Sequence, residues 1–253
     1  MNNRVSSERW DLAQESEKNY WKQFTTTSLF KKWGNVYKER ASSFLKEIAA
    51  FIKVNKNTKI LQIGSGPLDI INFLPSLKKH SIDPLADFYK ERFKFNYSPI
   101  DFKKAIGEKI PYPNKYFDIV VSINVLDHMH MPEKSLLEAR RVLKDSGIFY
   151  LSCYTYQKNF IRIARIWSLI KRIFARKIYN IHHPFMFTKE SVKNLALKEF
   201  KVVYENYGRD IGVAKSLEEL KRKQKHAKSL KKRMLAFLGF YGIINYTCIC
   251  KKK

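Results

Sequence analysis

Three groups of residues in this 253-residue chain carry recognisable chemistry. The first is a glycine turn, Gly64-Ser65-Gly66-Pro67, directly after the short apolar run Lys59–Ile63 and before Leu68. Glycines there let the backbone turn tightly and let a ligand approach where a Cβ would collide. A helix opening at Leu68 would present its first N–H groups to that ligand. The second is Asp83, nineteen residues after Gly64 at the end of another short apolar run. A carboxylate at that spacing accepts both hydroxyls of a ribose; its alternative is a turn residue or N-cap ahead of Pro84 and Leu85. A pyrophosphate would want a third small residue where Asp69 stands, and that aspartate would repel it. A nucleoside without phosphates meets no such objection. The third group is histidine. His128 could take a proton from a hydroxyl or amine near neutral pH, or it could shape a pocket as a helix-start residue. His182 and His183 stand just before Pro184-Phe185-Met186-Phe187 and could contact a substrate or simply pack.

These residues need a scaffold, and the hydrophobic pattern supplies one. Lys59–Ile63, Ser81–Asp83, Phe117–Asn124, Ile148–Tyr154, Phe200–Tyr204 and Tyr246–Cys250 read as short strands. Ala41–Ile52, Leu68–Lys78 and Pro132–Lys144 read as helices, the last with proline at its start and Asp145-Ser146-Gly147 as its stop. Strands alternating with helices of ten or more residues imply a parallel sheet with right-handed crossovers, hence an α/β, doubly wound, mostly parallel seven-stranded fold with helices on both faces. Residues 1–37 form an aromatic, mixed-charge helical segment ahead of a domain spanning 38–253. Within that domain, 156–185 reads as a basic amphipathic insertion and 211–240 as a basic helical connection before the last strand.

Ile60–Pro67, Ser81-Ile82-Asp83-Pro84, Gly107–Val120, Asn124–His128 and Glu138–Gly147 occur in this order and at consistent spacing. Together they resemble the motifs of the Rossmann-type, class I S-adenosylmethionine-dependent methyltransferases. Gly107–Val120 is similar to that family's "A-E-x-L-P-F…F-D-x-V" signature. By position, the resemblance implies that Gly64, Ser65 and Gly66 line the methionine part of the cofactor, with Gln62 at its amino end. Asp83 and Pro84 would meet the ribose, Glu108 and Lys109 would flank adenine, and Asn124 and Val125 would lie beneath the sulfonium. The segment holding His182 and His183 would fold over the acceptor pocket, with Asp127 and Tyr154 on the same side. Gln62 replaces a usual acid, Leu68 a common glycine and Ile106 the aspartate that holds the adenine amino group in many members.

The composition bears on partner and compartment. Lys and Arg number 49 against 23 Asp and Glu, a net +26, but residues 59–153 contribute only +3 and residues 154–253 contribute +18. A uniformly basic, histone-like protein is excluded, and a near-neutral core with a basic appendage remains. The chain lacks the N/D-P-P-Y/F element of adenine-amino methylation, and its three cysteines lack the Pro-Cys setting of cytosine-C5 methylation or zinc-ligand spacing with histidine. No residue is assigned as a metal ligand. The expected acceptor is an O or N of a small molecule, a saccharide or a lipid-linked compound. The alternatives are RNA bound along the basic C-terminal region and a cofactor-fold binding protein without catalysis. In 158–177 an apolar stripe, including Ile163, Ile166 and Trp167, backs onto cations, which suits either a lid or an anionic membrane surface. Lys221–Arg233 reads as a solvated basic face. Met1–Trp10 has no apolar h-region, and the charge-free run Met234–Cys250 is 17 residues, about 25 Å as a helix and short of a bilayer. The expected location is the cytoplasm, with contact at the inner membrane face as an option.

Overall fold

The computed structural model describes residues 5–94, 100–175, 183–208 and 244–253, with backbone alone at 167 and 169–175. The expected connection 211–240, His182 and the end of the basic insertion (176–182) lie outside the described residues. The strands β1 (Lys59–Ile63), β2 (Lys78–Asp83), β3 (Ile100–Lys104), β4 (Phe117–Ile123), β5 (Leu143–Thr155), β6 (Phe200–Gly208) and β7 (Ile244–Lys252) form one sheet in the order 3-2-1-4-5-7-6. The first five run parallel, and β7 is antiparallel to both β5 and β6. The doubly wound, mostly parallel sheet is thus as the alternation implied.

Alternation along each central strand divides the core into two layers. Leu61, Val120 and Leu151 pack on one face with Leu136 and Ala139 of helix Pro132–Val142 and with Leu195 of helix Lys189–Glu199. Ile60, Ile119 and Tyr150 point to the other face, against Phe44 and Ile48 of helix Thr26–Ile48. Each such side chain contributes roughly 1.5–3 kcal/mol on full burial, so both faces must be covered. In chain order the helices are α1 (Ser7–Lys22), α2 (Thr26–Ile48), α3 (Ala86–Arg92), α4 (Pro132–Val142), α5 (Lys158–Ala175) and α6 (Lys189–Glu199). The division expected between residues 37 and 38 falls inside α2, whose capping box of Thr25 and Ser28 starts it eleven residues before position 37.

The largest correction concerns Leu68–Lys78, which is not a helix. A four-residue 3₁₀ turn, Ile70–Phe73, is followed by residues 74–77 and then by β2. Pro75 explains this. Proline disfavours the helical region at the residue before it, and Leu74 is extended at φ −80°, ψ 147°. Ile70 and Leu74 instead meet Phe44 and Ile48, so α2 covers the place where the helix was expected. Strand β3 escaped the sequence reading because its polar residues and half-exposed edge position leave no clean alternation. In α5 the side chains buried in the first two turns are Phe160, Ile161 and Ala164, while Ile166 of the expected stripe is 60 % exposed. Tyr156 sets that rotation: its N–H donates to Phe187 O at 2.8 Å and its ring stacks on Phe160.

One side chain fixes the loop between β3 and β4. Arg141, in the last turn of α4, donates to Ile110 O and Tyr112 O at 2.8 Å each and to Asn114 Oδ1 at 2.9 Å. It also makes a two-pronged pair with Glu138 at 2.7 and 2.8 Å, and Glu138 in turn accepts the Ile110 N–H. A forked, planar cation can satisfy all these acceptors at once; a lysine cannot. Arg141→Ala should destabilise the fold by about 2 kcal/mol, lowering the thermal midpoint by roughly 6 °C. Arg141→Lys should recover less than half of that loss by the same melting measurement.

Candidate active site

Strands β1 and β4 are neighbours, and the chain leaves them toward opposite faces of the sheet, which opens a crevice at their carboxyl ends. A cleft of about 550 Å³ occupies it, a size typical of small-molecule sites. Gly64 and Gly66 form its floor with φ of +66° and +58°. A Cβ on Gly64 would stand 2.5 Å from Val125 Cγ2, so glycine is required both by conformation and by space. Ser65 is tied to β2 through a hydroxyl–hydroxyl bond with Ser81. Asn124 also adopts the left-handed region, φ +52°, which asparagine tolerates better than other non-glycine residues. Its N–H donates to Ser152 O at 2.8 Å, whereas its Oδ1 is buried with no donor.

Asp83 stands at the end of β2 and accepts the Gly66 N–H at 3.0 Å and the Leu85 N–H at 2.9 Å. It therefore is a turn residue as well as a cleft residue. Burial pushes its pKa up to about 6, against the two backbone bonds that favour the anion. Pro84 and Glu108 also line the cleft, and Glu108 Oε1 accepts the Met131 N–H at 2.8 Å, holding the 128–131 segment against β3's exit loop. Gln62 and Lys109 are not on the wall. Gln62 is fully buried and accepts the Ile71 N–H at 3.2 Å, so it braces the 3₁₀ turn.

The N-terminal helices supply the roof, which the sequence reading missed. Trp10, Gln14, Glu17 and Trp21 come from α1, and Trp33, Tyr37 and Arg40 from α2. Spacings of four, three and four in α1, and of four and three in α2, place each set on one helix face, and that periodicity was available in the sequence. Glu17 accepts the Trp21 indole N–H at 2.7 Å, and the Trp10 indole N–H reaches His128 O at 3.2 Å. The Trp33 indole nitrogen is buried without an acceptor. Among the lining residues the carboxylates are Glu17, Asp69, Asp83 and Glu108, and the guanidinium of Arg40 is the single permanent cation.

His128 and Tyr154 also line the cleft. Behind them Asp127 is 1 % exposed and pairs with His183 Nδ1 at 2.7 Å. Burial would lower the His183 pKa, but the hydrogen bond and charge of Asp127 outweigh it and raise the value. The 183–187 segment is tied down by Phe185 N–H to Asp127 O at 3.2 Å. The structure thus brings Asp127, His128 and His183 together beside the cleft, which Tyr154 lines as well.

Residues 61–151 match the family described as "Methyltransferase domain". Over those residues the chain is similar to the class I S-adenosylmethionine-dependent methyltransferases, the likeness that its motif order implied. It is 32% identical over 164 residues to an uncharacterized protein of Methanocaldococcus jannaschii, an alignment covering 64% of each chain. This chain therefore spans about 64% of that relative's length. It is 30% identical over 114 residues to an uncharacterized methyltransferase of Schizosaccharomyces pombe, covering 40% of each. In fold it is similar to a candidate sarcosine dimethylglycine methyltransferase from Galdieria sulphuraria, with TM-score 0.56, 19% identity and 85% of each chain covered.

The family's cofactor is S-adenosylmethionine, and the cleft suits it on four counts. Its glycine floor admits close approach, and its Asp83 carboxylate can take ribose hydroxyls. The buried Asn124 oxygen and Trp33 indole N–H lack partners that an amino-acid end supplies. Acidic side chains outnumber basic ones on the wall, which suits a sulfonium. The 3₁₀ turn capped by Asp69 offers no long helix N-terminus for a phosphate.

Two outcomes follow. Gly64→Ala should destabilise the chain by about 2–4 kcal/mol through left-handed strain and the Val125 clash, and Gly64→Ala with Val125→Ala should recover about half in chemical denaturation. A ribose bound at Asp83 would need the anion as acceptor, and burial pushes that pKa up to about 6. Affinity for S-adenosylhomocysteine should therefore be constant above about pH 7 and fall as pH drops below about 6. Asp83→Asn should weaken binding about 10- to 100-fold at pH 7.5 and flatten that profile in calorimetric titration.

Proposed function

We propose that this chain is an S-adenosylmethionine-dependent methyltransferase acting on an oxygen or nitrogen of a small, non-phosphorylated acceptor or acceptor group. The observation that carries the reading is the reversal of charge at the cleft. In a chain of net +26, the described residues of the cleft wall include four carboxylates and one guanidinium. Such a wall favours a cation and raises the cost of bringing a phosphate near it. That argues against the RNA reading at the site of chemistry, whatever the basic regions bind. The aromatic roof adds faces that attract a sulfonium or an ammonium.

When bound, S-adenosylmethionine supplies a methyl group on a sulfonium whose C–S bond breaks with its electron pair staying on sulfur. The chain's own contribution is placement and exclusion of water. Asp83 holds the ribose end, Asn124 and the glycine floor hold the methionine end, and α1 closes over both. Arg40 and Asp69 face the same cleft from α2 and the 3₁₀ turn and suit the carboxylate and ammonium of an amino-acid end. His128 and Tyr154 mark the acceptor end. The first turns of α5, with Phe160, Ile161 and Ala164 buried, support a lid reading of the basic insertion over a membrane contact. No helix among the described residues is long and apolar enough to cross a membrane.

The test is to incubate the protein with methyl-labelled S-adenosylmethionine and either total RNA or a low-mass metabolite extract. Label should appear in low-mass products and be absent from RNA. Label in RNA would overturn the acceptor class. Failure to bind S-adenosylhomocysteine at all would favour the binding-protein alternative that Gln62 and Ile106 suggested.

A further inference from the structure

Asp127, His128 and His183 come from two segments more than fifty positions apart and converge behind the acceptor end of the cleft. One carboxylate oxygen and one nitrogen from each ring all lie within 4.8 Å of one another. Asp127 Oδ2 is 2.7 Å from His183 Nδ1 and 3.9 Å from His128 Nε2. The ring centroids are 4.4 Å apart with the planes tilted by 60°. Among the described residues no lysine or arginine pairs with this carboxylate; its ion-pair partners are the two imidazoles. Its other oxygen, Oδ1, is buried and accepts no hydrogen bond. A carboxylate removed from water with one oxygen unmet is costly unless a cation is bound there.

We propose that Asp127, His128 and His183 bind one divalent transition-metal ion, with its open coordination positions toward the cleft that His128 lines. Two imidazoles and a carboxylate suit zinc, iron or cobalt rather than magnesium or calcium, which take oxygen ligands. With metal–ligand bonds near 2.0–2.2 Å, neighbouring donors in a tetrahedral site are about 3.3 Å apart. The observed 2.7 and 3.9 Å bracket that value, and the ring nitrogens lie within 4.8 Å of each other, so rotation and a small shift of the rings would form the site. Coordination through His183 Nδ1 requires that nitrogen to be without its proton, which then sits on Nε2, and the hydrogen bond to Asp127 gives way to a shared ion. Three protein ligands leave room for one from the acceptor, as in catalytic rather than structural sites.

The ion's binding stands on this geometry alone; its role rests on the methyl-transfer reading. An acceptor hydroxyl at the open position would release its proton to solvent more readily than in water, which selects alcohols, phenols or hydroxy acids. The sequence had assigned no metal ligand, since no motif joins residues 127, 128 and 183.

The experiment uses the untagged full chain, stripped with a chelator and titrated with cobalt(II) and then zinc(II). One cobalt per chain should bind with visible ligand-field absorption and be displaced by one equivalent of zinc. His128→Ala and His183→Ala should each weaken zinc binding by at least about tenfold in chelator competition, the loss that even an outer partner of a ligand causes. Near-UV circular dichroism checks that the variants are folded. No stoichiometric binding by the wild-type chain overturns the proposal, and so does undiminished zinc affinity in both variants. S-adenosylhomocysteine binding to the stripped protein is measured alongside. Nucleoside binding without metal binding removes the metal site and leaves the methyltransferase reading; metal binding without nucleoside binding does the reverse.

Discussion

Strands β1 and β4 lie side by side, and the segments that follow them must part in opposite directions. Everything at the site depends on how tightly that parting is made. Gly64 turns out of β1 against the side chain of Val125, which turns out of β4, with no room for a methyl group between them. Asn124 accepts a left-handed backbone to complete the second turn. The cleft is the space these two turns leave, so its floor is backbone, and its position is fixed by sheet register rather than by any long side chain.

The walls have a different origin. Glu108 pulls the 128–131 segment inward, Arg141 clamps the adjoining loop from below, and the 183–187 strip is bonded to Asp127. The roof comes from α1 and α2, outside residues 61–151. Floor and roof thus belong to different parts of the chain. The floor lies within the stretch that matches the methyltransferase domain, and the roof lies outside it.

Much of the floor was legible in the sequence because it depends on local pattern. A short apolar run ending in glycine, and an acid nineteen residues on, have few structural solutions, and Gly64, Gly66 and Asp83 are where that pattern puts them. The 68–78 segment misled because its apolar spacing suits a helix while Pro75 interrupts one; the backbone constraint prevailed over the periodicity. Gln62 was expected at the cofactor because of its place in the motif, yet its side-chain oxygen accepts the Ile71 N–H and it does not line the cleft. The cluster of Asp127 with His128 and His183 was only half visible. Its two halves meet through tertiary packing, which no spacing rule along the chain encodes.

A buried carboxyl that titrates near pH 6 has a thermodynamic consequence. In mildly acidic solution Asp83 holds a proton in roughly half of the molecules. A ribose that needs the anion expels that proton on arrival. The heat of binding then includes protonation of the buffer, and it is more exothermic in a buffer of large protonation enthalpy than in one of small. The difference between two buffers counts the protons released, and so reads the state of one aspartate in the unmodified protein.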